Sequence, residues 1–370
     1  MPSARRYLLP ACCALALVAC DRAATVDPEP SLSSRLGSGD ASGFARAVEP
    51  RQFRFPADHG PHPAFRNEWW YFTGNLQGPA GRRLGYQLTL FRVALQPERA
   101  DRASDWATRD VWMGHLAVSD AGASRHEARE RFARGAAGLA GARIDPIRIW
   151  LEDWQIDSPD GRHWRLQARE GGVGIDLELE SRRPPVLQGE DGLSRKSAEP
   201  GNASYYYSLT RLATRGQVLI DGDQFAVTGS SWLDREWSTS VLADDQAGWD
   251  WFALQFEDGR DLMYYRLRRT DGTADPMSAG SLVAPDGAVR RLGAEAAALR
   301  PMRWWTADDG TTYPVAWEMQ LPGEARWRIE AVFDDQRMDL TVRYWEGMVT
   351  VTEAATGAPL GRGYMELAGY

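Results

Sequence analysis

Apolar residues along this chain alternate with polar ones instead of recurring at helical spacing. Leu84, Tyr86, Leu88 and Leu90 share one face, as do Val173, Ile175, Leu177 and Leu179, then Phe225, Val227 and Gly229, then Leu340, Val342 and Tyr344. A period of two predicts strands with one buried side. Turn signals separate the runs: Gly78-Pro79, Pro159-Asp160-Gly161, Asp221-Gly222, Asp258-Gly259, Asp286-Gly287 and Asp309-Gly310. Dipeptides of this kind suit tight hairpins, so the pattern predicts an antiparallel all-β protein. Gly293–Arg300 reads as its one short helix.

The pattern also repeats. Trp154, Trp164 and Asp176-Leu177 are matched by Trp317, Trp327 and Asp339-Leu340, each displaced by 163 residues. Trp69-Trp70-Tyr71-Phe72 is echoed by Trp249-Asp250-Trp251-Phe252, and Val227–Trp232 by Met365–Tyr370. Two diverged copies of one unit are expected, over 51–232 and 233–370. An open sheet of about eight strands would expose its edges, and closure removes them. The predicted fold is two tandem lipocalin-like antiparallel β-barrels packed side by side, with a sandwich as the alternative.

Composition changes the picture at the N-terminus. Arg5 and Arg6 precede a short apolar run, Tyr7–Ala19, which is too short to span a bilayer and has the layout of an export signal. It ends in Leu17-Val18-Ala19-Cys20, which looks like a lipobox. Cys20 is then the expected lipidation site, behind a signal over 1–19 and a tether over 20–50 rich in Ser, Gly, Ala and Pro. The expected location is the cell envelope, at the periplasmic face of the inner membrane. Cys12 and Cys13 would leave with the signal, so no disulfide and no Cys metal ligand is expected. A formal net charge of −8 with no basic run argues against nucleic acid. The basic residues are nearly all Arg, and Lys196 is the one lysine.

Several segments resemble the AttH/hydroxyneurosporene synthase family, which includes the carotenoid 1,2-hydratases. They are Phe55-Pro56-Ala57-Asp58-His59-Gly60-Pro61-His62-Pro63, Asn67-Glu68-Trp69-Trp70-Tyr71-Phe72 and Gly85-Tyr86-Gln87-Leu88. In the second unit Trp232-Leu233-Asp234-Arg235-Glu236-Trp237-Ser238 and Gly248-Trp249-Asp250-Trp251-Phe252 carry the likeness. The resemblance implies two lipocalin-like barrels over roughly residues 50–370. The hydratases of that family carry His-Asn-Trp after an Asp, where this chain has Arg235-Glu236-Trp237 after Asp234. Arg cannot shuttle a proton at neutral pH, so the resemblance argues against carotenoid hydration itself.

The candidate catalytic residues are Glu68, His115, Asp234 and Glu236. Asp234 and Glu236 fall on one face of a strand and Arg235 and Trp237 on the other; the blander reading is an ion-pair network with Arg235 or Arg66. Glu68, beside Trp69 and Trp70, is either a carboxyl raised by apolar surroundings or a partner of Arg66, Arg82 or Arg83. Its counterpart in the second copy is Gly248, and that of His115 is Ser281. Asp58, His59 and His62 could bind a metal only with a further ligand from His115 or Glu68; a turn over the barrel mouth explains them as well, and no metal or cofactor is expected. Trp69, Trp70, Tyr71, Tyr86, Arg235, Trp237, Trp249 and Trp251 are the expected ligand-binding set. Two functions follow: a membrane-anchored module that binds or carries an apolar, lipid- or isoprenoid-like ligand, or a hydratase, isomerase or hydrolase using carboxylate and His acid–base chemistry on such a molecule. An accessory to an envelope export complex is a third.

Overall fold

The computed structural model describes residues 41–98, 104–240 and 242–370. The export signal, Cys20 and most of the tether lie outside them. The described residues form two antiparallel sheets, of thirteen and ten strands, with turns, loops and short 3-10 segments between the strands. Each sheet curls into a barrel or half-barrel, and the two lie side by side: two lipocalin-like barrels.

The two sheets share one plan. In the first, the Asn67–Gln77 strand lies between Arg83–Ala94 and Asp223–Ser238, and the latter pairs on with Ala203–Ile220. In the second, Gln246–Phe256 lies between Asp261–Arg269 and Pro359–Ala368, which pairs on with Tyr344–Glu353. Alternation decides what each strand presents. One face fills a barrel: Trp70, Trp154 and Trp164 pack the first core, and Trp317, Trp327 and Trp345 the second. Each such indole removes enough apolar surface from water to stabilise the fold by about 2–3 kcal/mol. The other face packs one sheet on the other, through Tyr71, Tyr206 and Trp232 against Trp251, Met263, Tyr265 and Tyr364. The approach is close at Gly85, where a Cβ would stand 2.4 Å from the Tyr364 hydroxyl.

Four details differ from expectation. The Asp223–Ser238 strand belongs to the first sheet throughout, so that sheet runs past the boundary at 232/233 and the second begins at Gln246. Gly293–Arg300 is a 3-10 turn over Ala294–Ala296 that leads into a strand, Ala298–Thr306. Leu340 and Val342 lie in a bend before the Tyr344 strand, which leaves Asp339-Leu340 without the strand that Asp176-Leu177 has. The echo of the last strands is also displaced. Tyr71 faces Asp234 across the ladder and its counterpart Trp251 faces Glu366. Residues 232–234 therefore match 364–366, and the earlier pairing of Trp232 with Tyr370 was six residues out.

Candidate functional site

A cavity with about 980 Å³ of empty space, its mouth included, opens between the two sheets. The duplication builds it. Register makes Trp69 equivalent to Trp249, Tyr71 to Trp251, Asp234 to Glu366 and Tyr206 to Tyr344. All eight line the cavity, together with Phe91, Met113, Leu242, Leu267 and Val342. The two units thus set one acid each into a common aromatic box.

Asp234 is buried and accepts three hydrogen bonds: from the Tyr206 hydroxyl and from Ser208 Oγ, both at 2.5 Å, and from Trp232 Nε1 at 2.7 Å. Trp251 Nε1 donates to Tyr206 (3.2 Å) and Gln188 Nε2 to Ser208 (2.9 Å), so both hydroxyls are left to turn their protons on Asp234. Burial nevertheless dominates and pushes the Asp234 carboxyl up to about 7 against these donors, with Glu236 adding to the rise. Glu366 accepts from Trp249 Nε1 at 2.6 Å; burial also raises it to about 7, and the charges of Asp234 and Glu236 add to that. Behind it, directly across the ladder, Glu346 is held well above the carboxylate range by burial and by Glu366, and accepts from Tyr71 at 2.6 Å. Asp234 and Glu366 both titrate near neutrality, so around pH 7 one can be ionised while the other holds a proton.

The remaining polar groups stand at two ends. Glu236 pairs with Lys196 Nζ at 3.1 Å. At the other end His115 contacts the Tyr344 hydroxyl through Nδ1 (2.7 Å) and Glu130 through Nε2 (3.1 Å). Burial lowers the His115 pKa despite Glu130, so the ring is neutral at pH 7.

Of the four catalytic candidates, the cavity brings together Asp234, Glu236 and His115. Glu68 lies on the opposite face of the sheet, inside the first barrel. It is paired with Arg92 and Arg235, accepts from the His62 backbone N–H at 2.9 Å, and is held below the usual carboxylate range because those guanidiniums outweigh its burial. Arg235 stacks over Trp70 at 3.8 Å and His62 over Trp237 at 3.6 Å. The cluster closes the barrel end, and the metal reading of the loop gives way to hydrogen bonding: His59 Nδ1 meets the Tyr207 hydroxyl at 2.6 Å, and His62 Nε2 meets Asp58 at 3.1 Å. Among the expected ligand-binding residues, Trp69, Tyr71, Trp249 and Trp251 line the cavity. Trp70 and Tyr86 pack in the first barrel instead, Arg235 belongs to the Glu68 cluster at its end, and Trp237 packs beside that cluster with Phe65, Tyr205 and Tyr207.

Two contrasts between the copies also read differently in three dimensions. A Cβ at Gly248 would stand 2.0 Å from the Ala368 carbonyl oxygen, so sterics exclude a side chain there. The second barrel places its buried acid at Asp250 instead, with Arg266 at 2.7 Å and Arg268 at 3.4 Å. The ladder partner that corresponds to His115 is Ala279, not Ser281. Sequence reasoning missed Glu366, Tyr206, Tyr344, Tyr265 and Lys196. The first was hidden by the six-residue error of register; the last was visible as a compositional outlier.

A family model described as AttH-like matches residues 46–370. An AttH of Nitrosomonas europaea, solved by crystallography, shares 37% identity and a TM-score of 0.80, over 88% of this chain and 100% of its own. Two more distant structures show the same fold. Kievitone hydratase of Nectria haematococca has a TM-score of 0.65 at 14% identity, over 88% of this chain and 98% of its own. CghA, in a structure with Sch210972, has a TM-score of 0.52 at 13% identity, over 89% of this chain and 97% of its own. No curated protein sequence matches the chain. The chain belongs to the AttH-like family.

Proposed function

We propose that this protein is an acid–base enzyme that hydrates a carbon–carbon double bond of an apolar substrate held between the two barrels. The observation that carries the reading is the Asp234/Glu366 pair: equivalent positions of the two copies, each a carboxyl near 7, in one aromatic cavity. Hydration delivers one proton and removes another, which one protonated and one ionised carboxyl in the same cavity can do in one turnover. Asp234 accepts three hydrogen bonds and Glu366 one, which favours the state with Asp234 ionised and Glu366 protonated as the reactive one. Glu366 gives its proton to one alkene carbon. The oxygen of a water molecule bonds to the other carbon, and that water's proton passes to Asp234. Net addition of H and OH leaves the proton on Asp234, and exchange with solvent returns it to Glu366. Positive charge that develops on carbon meets the faces of Trp69, Trp249 and Trp251. A neighbour of the same fold bears the name hydratase, which agrees with this reading.

The aromatic lining alone would serve a carrier equally well; the paired acids favour chemistry. Attachment of Cys20 to a membrane would place the cavity near the phase in which apolar substrates dissolve, and is part of the same proposal. The test is incubation of the full chain with a panel of prenyl alkenes in ¹⁸O-labelled water. Uptake of one labelled water, lost in Asp234→Asn and in Glu366→Gln, is expected. Tight binding of the alkenes with no label uptake would return the protein to the carrier reading.

A further inference from the structure

A cavity lined by equivalent residues from two copies would not by itself orient a long substrate. Two positions break the equivalence. At the Tyr206 end Glu236 stands where the second copy has Ala368, and it holds Lys196; at the Tyr344 end His115 stands where the second copy has Ala279. His115 is neutral and engaged on both nitrogens. Lys196 is the polar group that remains to be explained.

Lys196 is the sole lysine among 43 basic residues. Arginine serves every other cationic task, including the buried pairs at both barrel ends. An ammonium is a compact, strongly hydrated charge that is costly to bury, and it offers three donors where a guanidinium offers a rigid fork. Burial pulls the Lys196 pKa down, but Glu236 and Tyr265 more than restore it, so the group stays charged. Its Nζ lies 4.5 Å from the centre of the Tyr265 ring. Two of its three N–H bonds are met by Glu236 (3.1 Å) and Ser194 Oγ (3.3 Å), and the third has only ring faces, those of Tyr265 and Tyr206 (5.7 Å), which an oxygen acceptor in the cavity would replace. Glu236 already balances the charge, and Asp234 and Glu366 stand close by. An anionic ligand would add a further negative charge to three carboxyl groups; a neutral oxygen acceptor would not.

We infer that Lys196 is the carbonyl-binding end of the cavity, and that the substrate is an elongated, neutral, apolar molecule carrying a ketone or similar carbonyl. The inference rests on the proposed hydration and names its substrate class. The carbonyl oxygen accepts a hydrogen bond from Nζ, with no covalent bond to the amine. The apolar body then runs past Asp234 and Glu366 toward His115. Asp234 and His115 lie three strands apart on one row of the first sheet, which at the usual strand spacing is about 14 Å.

Intrinsic tryptophan fluorescence of the full chain, titrated with geranylacetone and with the hydrocarbon in which its carbonyl is replaced by methylene, tests the assignment. The ketone should bind about tenfold more tightly, a difference of about 1.4 kcal/mol. Lys196→Met should bind the hydrocarbon as the native protein does and lose the preference. If Lys196→Met does not fold, because it leaves Glu236 buried without its partner, the double variant Lys196→Met/Glu236→Gln removes both charges and should show the same loss. Equal binding of the two probes by the native chain, a preference retained in the double variant, or binding of neither probe would overturn the inference. Label uptake from water by prenyl alkenes judges the hydratase reading separately. Uptake without a ketone preference sinks the carbonyl site alone, and a ketone preference without uptake sinks the chemistry alone.

Discussion

Two buried carboxylates a few residues apart in space make opposite use of the same burial. Glu68 and Asp234 both contact the Asp223–Ser238 strand, one through Arg235 on its barrel face and the other as part of its outer face. Burial raises both. At Glu68 the guanidiniums of Arg92 and Arg235 reverse the effect and hold the carboxylate charged; at Asp234 the neighbours are hydroxyls and an indole, which only moderate it. A charged partner makes an acid structural, and a neutral dipole leaves it able to titrate. Asp250, with Arg266 and Arg268, repeats the first arrangement in the second barrel, and Glu366 repeats the second. The duplication has kept both kinds of site.

The comparison can be broken most forcefully at Glu68. Glu68→Gln leaves the buried Arg235 guanidinium without its carboxylate and Arg92 with Asp110 alone, and is expected to cost about 3–5 kcal/mol in urea unfolding, while binding of apolar probes to the folded fraction is unchanged. A loss of binding with intact stability would mean that Glu68 belongs to the cavity after all. At the other carboxylate the expected loss is catalytic: Asp234→Asn and Glu366→Gln should each lower kcat for label uptake by about 10²–10⁴. The native pH–rate profile should be bell-shaped and centred near 7, since the singly protonated pair is most populated there. A flat profile would argue against acid–base use of these two carboxyls.

The pH dependence of stability sharpens the contrast further, because the two groups have opposite signs. Glu68 is depressed in the folded state. Its contribution is complete above the unfolded carboxylate pKa near 4.5 and is lost as pH falls toward the lower folded value. Asp234 is raised from 3.8 to about 7. The folded state therefore binds more protons between these values, and stability falls as pH rises across that window. Relative to the native chain, Glu68→Gln should flatten the acid limb of unfolding free energy against pH. Asp234→Asn should flatten the decline between about pH 4 and 7. The same change of slope in both variants would contradict the distinction. The smallest effect belongs to His115→Gln, which alters contacts to Tyr344 and Glu130 and should cost about 1 kcal/mol in thermal unfolding. Because the imidazole is already neutral, that cost should not vary with pH above about 6.5.

Much of this was legible before the tertiary structure. Alternation and turn residues identified the strands, and the tryptophan spacing identified the copies. The two faces of Asp234-Arg235-Glu236-Trp237 followed from the period of a strand, while the candidacy of Asp234 and Glu236 came from their place at the junction of the two copies and from the family resemblance. Where the reading failed, it did so at points that alternation does not determine. Glu68 was placed with the cavity acids because it is a neighbour of Trp69 in sequence, yet consecutive residues of a strand face opposite ways. Gly248 looked like a lost functional acid and is instead a place where a neighbouring carbonyl excludes any Cβ. Glu366 was passed over because a short echo can be laid down in more than one register, and only the ladder partners decide which is right.

The amino-acid sequence by itself determined an all-β chain, its duplication and the acids available on one strand, because period and spacing are local properties that survive without knowledge of neighbours. Which acids meet was decided only by the packing of one sheet on the other. That contact joins residues more than a hundred positions apart, and it sets whether a buried carboxylate faces a guanidinium or a hydroxyl. For Glu68 and Asp234 the sign of the pKa shift, and with it the choice between holding the fold together and moving a proton, differs with that neighbour.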